Sequence, residues 1–583
     1  MNDRLIIFFC AFVCLCLPAS LSFAQGCVSM QGAGGPFPLS WSGATTYVSE
    51  TALFAHSSNC AFCHDRLMDG RGYDVSFFTD WSGTMMANAG RDPLWQAKVH
   101  SEILRSPHLK TVIEERCSRC HMPMANVQAE IDGGGITLVG GGLFSPGNQF
   151  HALAVDGVSC ALCHQIQPGN LGTKSSFSGS FSIDRFAGKP YRLLFGPFPN
   201  PVAAGMMGRS GFLPGYEVHM EESALCGTCH TVYVPVIDAT GAVVGESPEQ
   251  TPYLEWRNSA FSLRGGKEYK SCQRCHLPKN GAGAFISLMP RRLLPRMNVG
   301  RHHMNGGNAL LLSILRDNPV EMEVNASWDA LERATWRTLE QLRRRTADIA
   351  IEGLSAGDGT LEVRLRVTNE TGHKFPTGVP LRRAWIHLTV KDGSGKVVFE
   401  SGRPRLDGSI DGNDADSDLS MHEPHYDLID SPEKVQIYEA ITMDTENNVT
   451  YTFLRGKEHI KDNRLLPRGF DKAGASPEIQ VHGEASEDWN FVGGSDRVTF
   501  RASTAGLPGP FSVRAEILYS SISHAFLKDL NSLQGKSGLI RRFGRLYEKA
   551  DAFPIVIGVA EEQYSGFTAG YQAVSSASMG RLP

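Results

Sequence analysis

Residues 156–165 read DGVSCALCHQ, and the core of that stretch, Cys160 and Cys163 followed at once by His164, decides how the rest of the chain is read. Cysteines three positions apart lie one helical turn from each other. Four further copies of the spacing occur: Cys60, Cys63 and His64; Cys117, Cys120 and His121; Cys226, Cys229 and His230; Cys272, Cys275 and His276. Thiols so placed can add to the two vinyl groups of one porphyrin while the adjacent imidazole meets the iron, which is the chemistry of covalent haem attachment. Disulfides and zinc ribbons also use cysteine pairs, but neither requires histidine directly after the second cysteine. The expected cofactors are therefore five covalent haems c and their iron, with the ten cysteines as attachment points and the five histidines as proximal ligands.

The other four of the 14 cysteines stand apart from this pattern. Cys10, Cys14 and Cys16 fall in an apolar run over residues 5–17, behind Arg4 and ahead of Ser22-Phe23-Ala24, which together read as an export signal over residues 1–24. The run is shorter than the ~20 residues that span a bilayer. Cys27 is a candidate for lipid attachment in a poor context, since alanine replaces the usual leucine three residues earlier. Export suits the cofactor, because bacterial c-type maturation follows translocation.

The chain of 583 residues is too long for one ordinary core, and 61 glycines point to many turns. A net charge of −5 leaves no Lys/Arg excess to neutralise phosphates and excludes nucleic acid as the expected partner.

A low-spin electron-transfer haem needs a second axial ligand from His or Met. His151 and His219 precede their nearest motifs by nine and seven residues, where a short loop can return them to a neighbouring iron. One of the adjacent pair His302 and His303 is expected to ligate, and adjacency leaves the choice open. His373 sits in a Gly/Pro-bounded loop, residues 372–378 (GHKFPTG), that can carry an imidazole to a haem edge. Met85, Met86, His100 and His108 compete for the remaining iron, and the two methionines also suit core packing. His56 suits the solvent as well as a site, and His422, His425, His459, His482 and His524 are read mostly as non-ligands. No catalytic residue is assigned.

Residues 25–320 carry all five motifs between Gly/Pro/Ser-rich stretches and predict a loop-rich, mainly α multihaem domain. Trp328, Leu331, Thr335, Leu339 and Leu342 then recur every three or four residues, predicting a connector helix within residues 321–346 that Ser327 caps. Its end, Arg343 to Arg345, reads as a solvated face, with contact to haem propionates as the alternative. Beyond it the period becomes two: Leu361, Val363, Leu365 and Val367 alternate with polar residues, and residues 385–390 lead through a Gly-rich turn to residues 397–399. Further strands are predicted over residues 450–454, 497–501, 512–519 and 555–559. The fold class is thus multidomain α+β, a cytochrome domain followed by a linker helix and a β-sandwich over residues 347–583.

At this point the sequence resembles a family of multihaem c-type cytochromes in which a haem-bearing half precedes a β-sandwich with a G-H-K-[FL]-P-T-G loop. The matching pieces are residues 81–97 (WSGTMMANAGRDPLWQA), 117–124 (CSRCHMPM), 156–165, 226–231 (CGTCHT), 271–278 (SCQRCHLP), 302–308 (HHMNGGN) and 369–378 (NETGHKFPTG). The resemblance implies periplasmic or extracellular electron transfer and supports His151, His219, one of His302 and His303, and His373 as ligands. Redox proteins are the expected partners, including an outer-membrane or quinol-oxidising complex or further copies of the chain. A multihaem reductase or oxidase, acting on a nitrogen or sulfur oxyanion at one open iron, is the alternative; no C-x-x-C-K variant of the motif is present to mark such a site. A subunit of a filament or conduit is a third class.

Overall fold

A C-x-x-C pair needs one turn of helix, and the helices that carry the motifs range from 4 to 12 residues. The computed structural model describes residues 50–290 and 293–565; the export segment and Cys27 lie outside the described residues. Ser57–His64, Lys110–His121, Cys160–Cys163, Ser223–Gly227 and Cys272–His276 each hold all or part of one motif. Long loops join them, as the glycine content predicts. Pro93–Arg105 is the longest helix before residue 300. It starts on Asp92, whose carboxylate accepts from the N–H groups of Leu94 and Trp95, with Pro93 at the first helical position. Val99 and Ile103 on this helix pack with Phe54, Ile113, Met122, Leu153 and Leu162 beneath the second and third motifs.

The predicted connector is the helix Trp328–Arg345, capped by Ser327, whose hydroxyl accepts from the N–H of Ala330. Its buried stripe is Ala330, Leu331, Ala334, Thr335, Thr338 and Leu342. Trp328, expected on that stripe, is exposed, because it occupies the first turn ahead of the packed surface. Gly83 lies directly against the Ala330 carbonyl, where a Cβ would collide, so the loop over residues 83–90 reaches this helix only with glycine there. Arg343 to Arg345 are exposed.

The alternating residues form two packed sheets. One runs in the order Ala347–Gly357, Thr360–Asn369, Ser495–Ser503, Leu428–Ile429. The other runs Ile437–Tyr438, Arg383–Lys391, Phe511–Ser520, Ile555–Tyr564, with Val397–Ser401 on Arg383–Lys391. Register follows the hydrophobic pattern: Leu361, Val363 and Leu365 stand opposite Ala502, Phe500 and Val498, and all six face the shared core with Ile386, Leu388, Val513 and Ile517. The strand expected over residues 450–454 is not formed; after Val449–Thr450 the chain enters the 3-10 turn Phe453–Arg455, with Leu454 buried in the core of the motif half.

The sheets are not the whole of the second half. Helices His524–Asn531 and Gly538–Lys549 follow the strand Phe511–Ser520, and Phe526, Ile540, Phe543 and Leu546 share a core with Leu94 and Ala97 of the first half and Leu311, Leu315 and Leu331 of the middle. This shared core crosses the boundary expected at residues 346–347, and the described residues fall in one compact unit. No helix among the described residues is long and apolar enough to cross a membrane.

Candidate functional site

None of the ten motif cysteines is in a disulfide. What distinguishes the motif histidines is the way their rings are held. The Nδ1 of His64 donates to the Ile286 carbonyl at 2.7 Å, that of His121 to Ala89 at 3.2 Å, that of His164 to Phe195 at 2.5 Å and that of His276 to Asn305 at 2.8 Å. A ring that donates from Nδ1 to a backbone carbonyl has its lone pair on Nε2, the arrangement of a metal-ligating imidazole. Burial pushes His121 and His276 down to about 4, and lowers His64 and His164 as well, so these rings are neutral at neutral pH and free to donate a lone pair. His230 is also lowered by burial, but among the described residues its ring has no such carbonyl partner.

Two non-motif histidines that stand opposite motif rings are held in the same way. His373 donates from Nδ1 to the Lys374 carbonyl at 2.9 Å, and His302 to that of Gly300 at 3.2 Å. Each faces a motif ring: the centroids of His276 and His373 lie 6.5 Å apart with planes 16° from parallel, and those of His164 and His302 lie 6.5 Å apart at 21°. This spacing fits one metal ion between two imidazoles, since a metal–nitrogen bond of about 2 Å on each side, plus roughly 1 Å from nitrogen to ring centre, gives about 6 Å. The donor set therefore fits haem iron at these two places. Such a group, when bound, supplies a one-electron couple, and the protein sets its potential through the axial ligands, their hydrogen bonds and burial.

No family model matches this sequence, and no curated protein matches it. Among solved structures, a penta-heme cytochrome c552 from Thermochromatium tepidum aligns over 88% of this chain and 100% of its own, at 15% identity and a TM-score of 0.47.

The remaining expected ligands have other surroundings. His303 turns away from His302 toward Asp80, 3.7 Å from its carboxylate, and burial pushes it down to about 4. Asp80 also accepts from Arg301 at 2.5 and 2.8 Å and from Arg337 at 3.3 Å, so three basic groups crowd one buried carboxylate. The Nε of Arg337 is buried without a partner. This surplus of cations beside His302 could hold a porphyrin carboxylate, and it comes from the middle of the connector helix, not from its exposed arginine end.

His151 is buried with both nitrogens engaged, Nδ1 with the Leu143 carbonyl at 2.8 Å and Nε2 with Glu323 at 2.9 Å. His219 is held in the opposite sense to the motif rings: Nε2 donates to the Ile166 carbonyl at 2.9 Å, and Nδ1 is buried without a hydrogen-bond partner. His100 bonds the Ser537 hydroxyl through Nδ1 at 2.7 Å, and His108 is spent on the Gly241 carbonyl at 2.9 Å. Met85 packs against the core shared by Leu94 and Phe526, and the Met86 carbonyl accepts from Val158.

Sequence reasoning did not single out two residues beside the motifs. Trp95 lies flat on His121, with ring centres 4.3 Å apart and planes 2° from parallel. Its signal was present, since it falls inside the quoted stretch 81–97. Asp80 lies just before the same stretch. His56 is buried against Asp156 at 3.2 Å instead of facing solvent.

Away from the motifs, His425, Asp488 and Asp496 form a buried cluster in the sandwich whose ligand-type atoms lie within 4.8 Å of one another. Its donor chemistry does not suit a metal. His425 Nδ1 accepts from the amides of Gln436 at 2.7 Å and Asn463 at 3.0 Å. Both amides are fixed by backbone N–H groups on their oxygens, Tyr426 on Gln436 and Glu439 on Asn463. The ring proton is therefore on Nε2, which donates it to Asp488 at 3.1 Å, and neither nitrogen is left for an ion.

Proposed function

We propose that this chain is an exported pentahaem c-type cytochrome that transfers electrons through covalently bound haems in the periplasm or at the cell exterior. The observation that carries the reading is the pair of facing imidazoles, His164 with His302 and His276 with His373, each built on a C-x-x-C-H motif and each with Nδ1 tied to a backbone carbonyl. Two strong-field imidazoles leave an iron no open position, which suits a carrier and not a catalyst. Cys60, Cys63, Cys117, Cys120, Cys160, Cys163, Cys226, Cys229, Cys272 and Cys275 attach the haems in this reading. Donor and acceptor are other redox proteins.

Absorption spectra of purified protein, oxidised and dithionite-reduced, before and after carbon monoxide, test the assignment. Low-spin haems indifferent to carbon monoxide are expected. A haem that binds carbon monoxide readily exposes an open iron and moves the protein to the reductase class.

A further inference from the structure

Resting on the haem reading above, we propose that the five attachment sites form a branched path with its junction at Cys226 and Cys229, instead of a series in sequence order. The contacts between motifs carry this. The first motif joins the third: Ser57, at the head of the first motif helix, donates to Asp156, four residues before Cys160, from its N–H at 2.9 Å and its hydroxyl at 2.5 Å. The third joins the fourth through His219. That ring bonds the carbonyl of Ile166, two residues past His164, and packs edge-on against Phe195 with centroids 5.3 Å apart. Phe195 supplies the carbonyl that holds His164, and His219 leads directly into the helix Ser223–Gly227.

The fourth motif has two more neighbours. It joins the fifth where the Cys272 N–H donates to the Ser223 hydroxyl at 3.0 Å and the Gln273 amide to the Glu222 carbonyl at 2.7 Å. It joins the second through one bridging glycine. Gly179 completes that junction: its carbonyl accepts from Arg119 at 2.9 Å and its N–H donates to the Thr228 carbonyl at 2.7 Å. With φ of +73° and the Cys120 sulfur 3.2 Å from where a Cβ would stand, the position takes only glycine. Among the described residues, no hydrogen bond joins the second motif to the first, its sequence neighbour.

Electron tunnelling weakens steeply with separation, so sites in contact exchange first. The first, second and fifth motifs are then ends, and the fourth is shared by every route between two of them. One electron enters at an end as a one-electron donor is oxidised and leaves at another as an acceptor is reduced; no bond forms or breaks. A branched path lets one donor serve two acceptors, or two donors one acceptor, which a linear wire does not.

The test is to locate the irons in crystals of the holoprotein by anomalous diffraction at the iron edge, after intact mass has counted the haems. The iron on His230 is expected to have three nearest iron neighbours, those on His121, His164 and His276, and the iron on His64 only that on His164. An iron on His121 lying next to that on His64 or His164 overturns the branch. Fewer than five haem masses overturns the premise itself, and is read before any diffraction. In a second arm, Cys117→Ala with Cys120→Ala removes an end, so electron paramagnetic resonance should change at one remaining haem; changes at two or more place the second motif inside a series and overturn the proposal.

Discussion

His302→Ala and His303→Ala should differ completely although the residues are adjacent. His302 faces His164 at 6.5 Å, and its Nδ1 is spent on Gly300, which leaves Nε2 for the iron; His303 points to Asp80. In the proposed reading, removing the His302 imidazole takes one axial ligand from the haem on His164, so the low-spin signal of that haem should convert to high-spin, with new carbon monoxide binding. The structural cost is small, since the lost Nδ1 bond contributes about 1 kcal/mol. His303→Ala should leave the spin state of all five unchanged. The assay is low-temperature electron paramagnetic resonance of both variants at equal haem content. Conversion in His303→Ala, or none in His302→Ala, refutes the assignment of the facing ring.

Lys374 and Asp462 form a fully buried pair at 2.7 Å, with Arg464 on the same carboxylate; Lys374→Met leaves that charge cluster unbalanced and should cost about 3–5 kcal/mol in denaturant unfolding, whereas a loss under about 1 kcal/mol would show the pair to be dispensable. Burial raises the Asp496 carboxyl, so its protonated form is favoured in the folded state; the contribution is complete below the unfolded value of about 4 and is lost as pH rises through the raised value. The stability of the wild type relative to Asp496→Asn should therefore fall as pH rises above about 4, and a difference that is flat or grows with pH would contradict this. Because His425 offers no free nitrogen, chelators and added zinc should leave the melting temperature unchanged; a zinc-dependent rise abolished by His425→Gln would show that the ring can be re-protonated to ligate.

The motifs were legible because C-x-x-C-H is a local pattern, confined to about one helical turn whatever the tertiary fold. The sheets were legible where one face is buried, as at Leu361, Val363, Leu365 and Val367, since the side-chain period of two is then enforced by the core. Distal ligands were not, because a ligand is defined by which ring nitrogen is free and what it faces. His302 and His303 have the same local sequence and opposite surroundings, and His151, well placed along the chain, has both nitrogens engaged. The helix Gly538–Lys549 was missed because arginines separate Ile540, Phe543 and Leu546, and its partner surface, Pro93–Arg105, lies more than 400 residues away in sequence. Residues 450–454 read as a strand by composition, but Leu454 is drawn into the motif-side core and the backbone turns to deliver it.

Whether each C-x-x-C-H motif carries a haem is decided by intact mass of the purified protein, measured under denaturing conditions and paired with iron content. A chain five haem masses heavier than its polypeptide is expected, with five irons and no titratable thiol among the ten motif cysteines. A polypeptide mass with free or disulfide-bonded cysteines, or with zinc in place of iron, would contradict it.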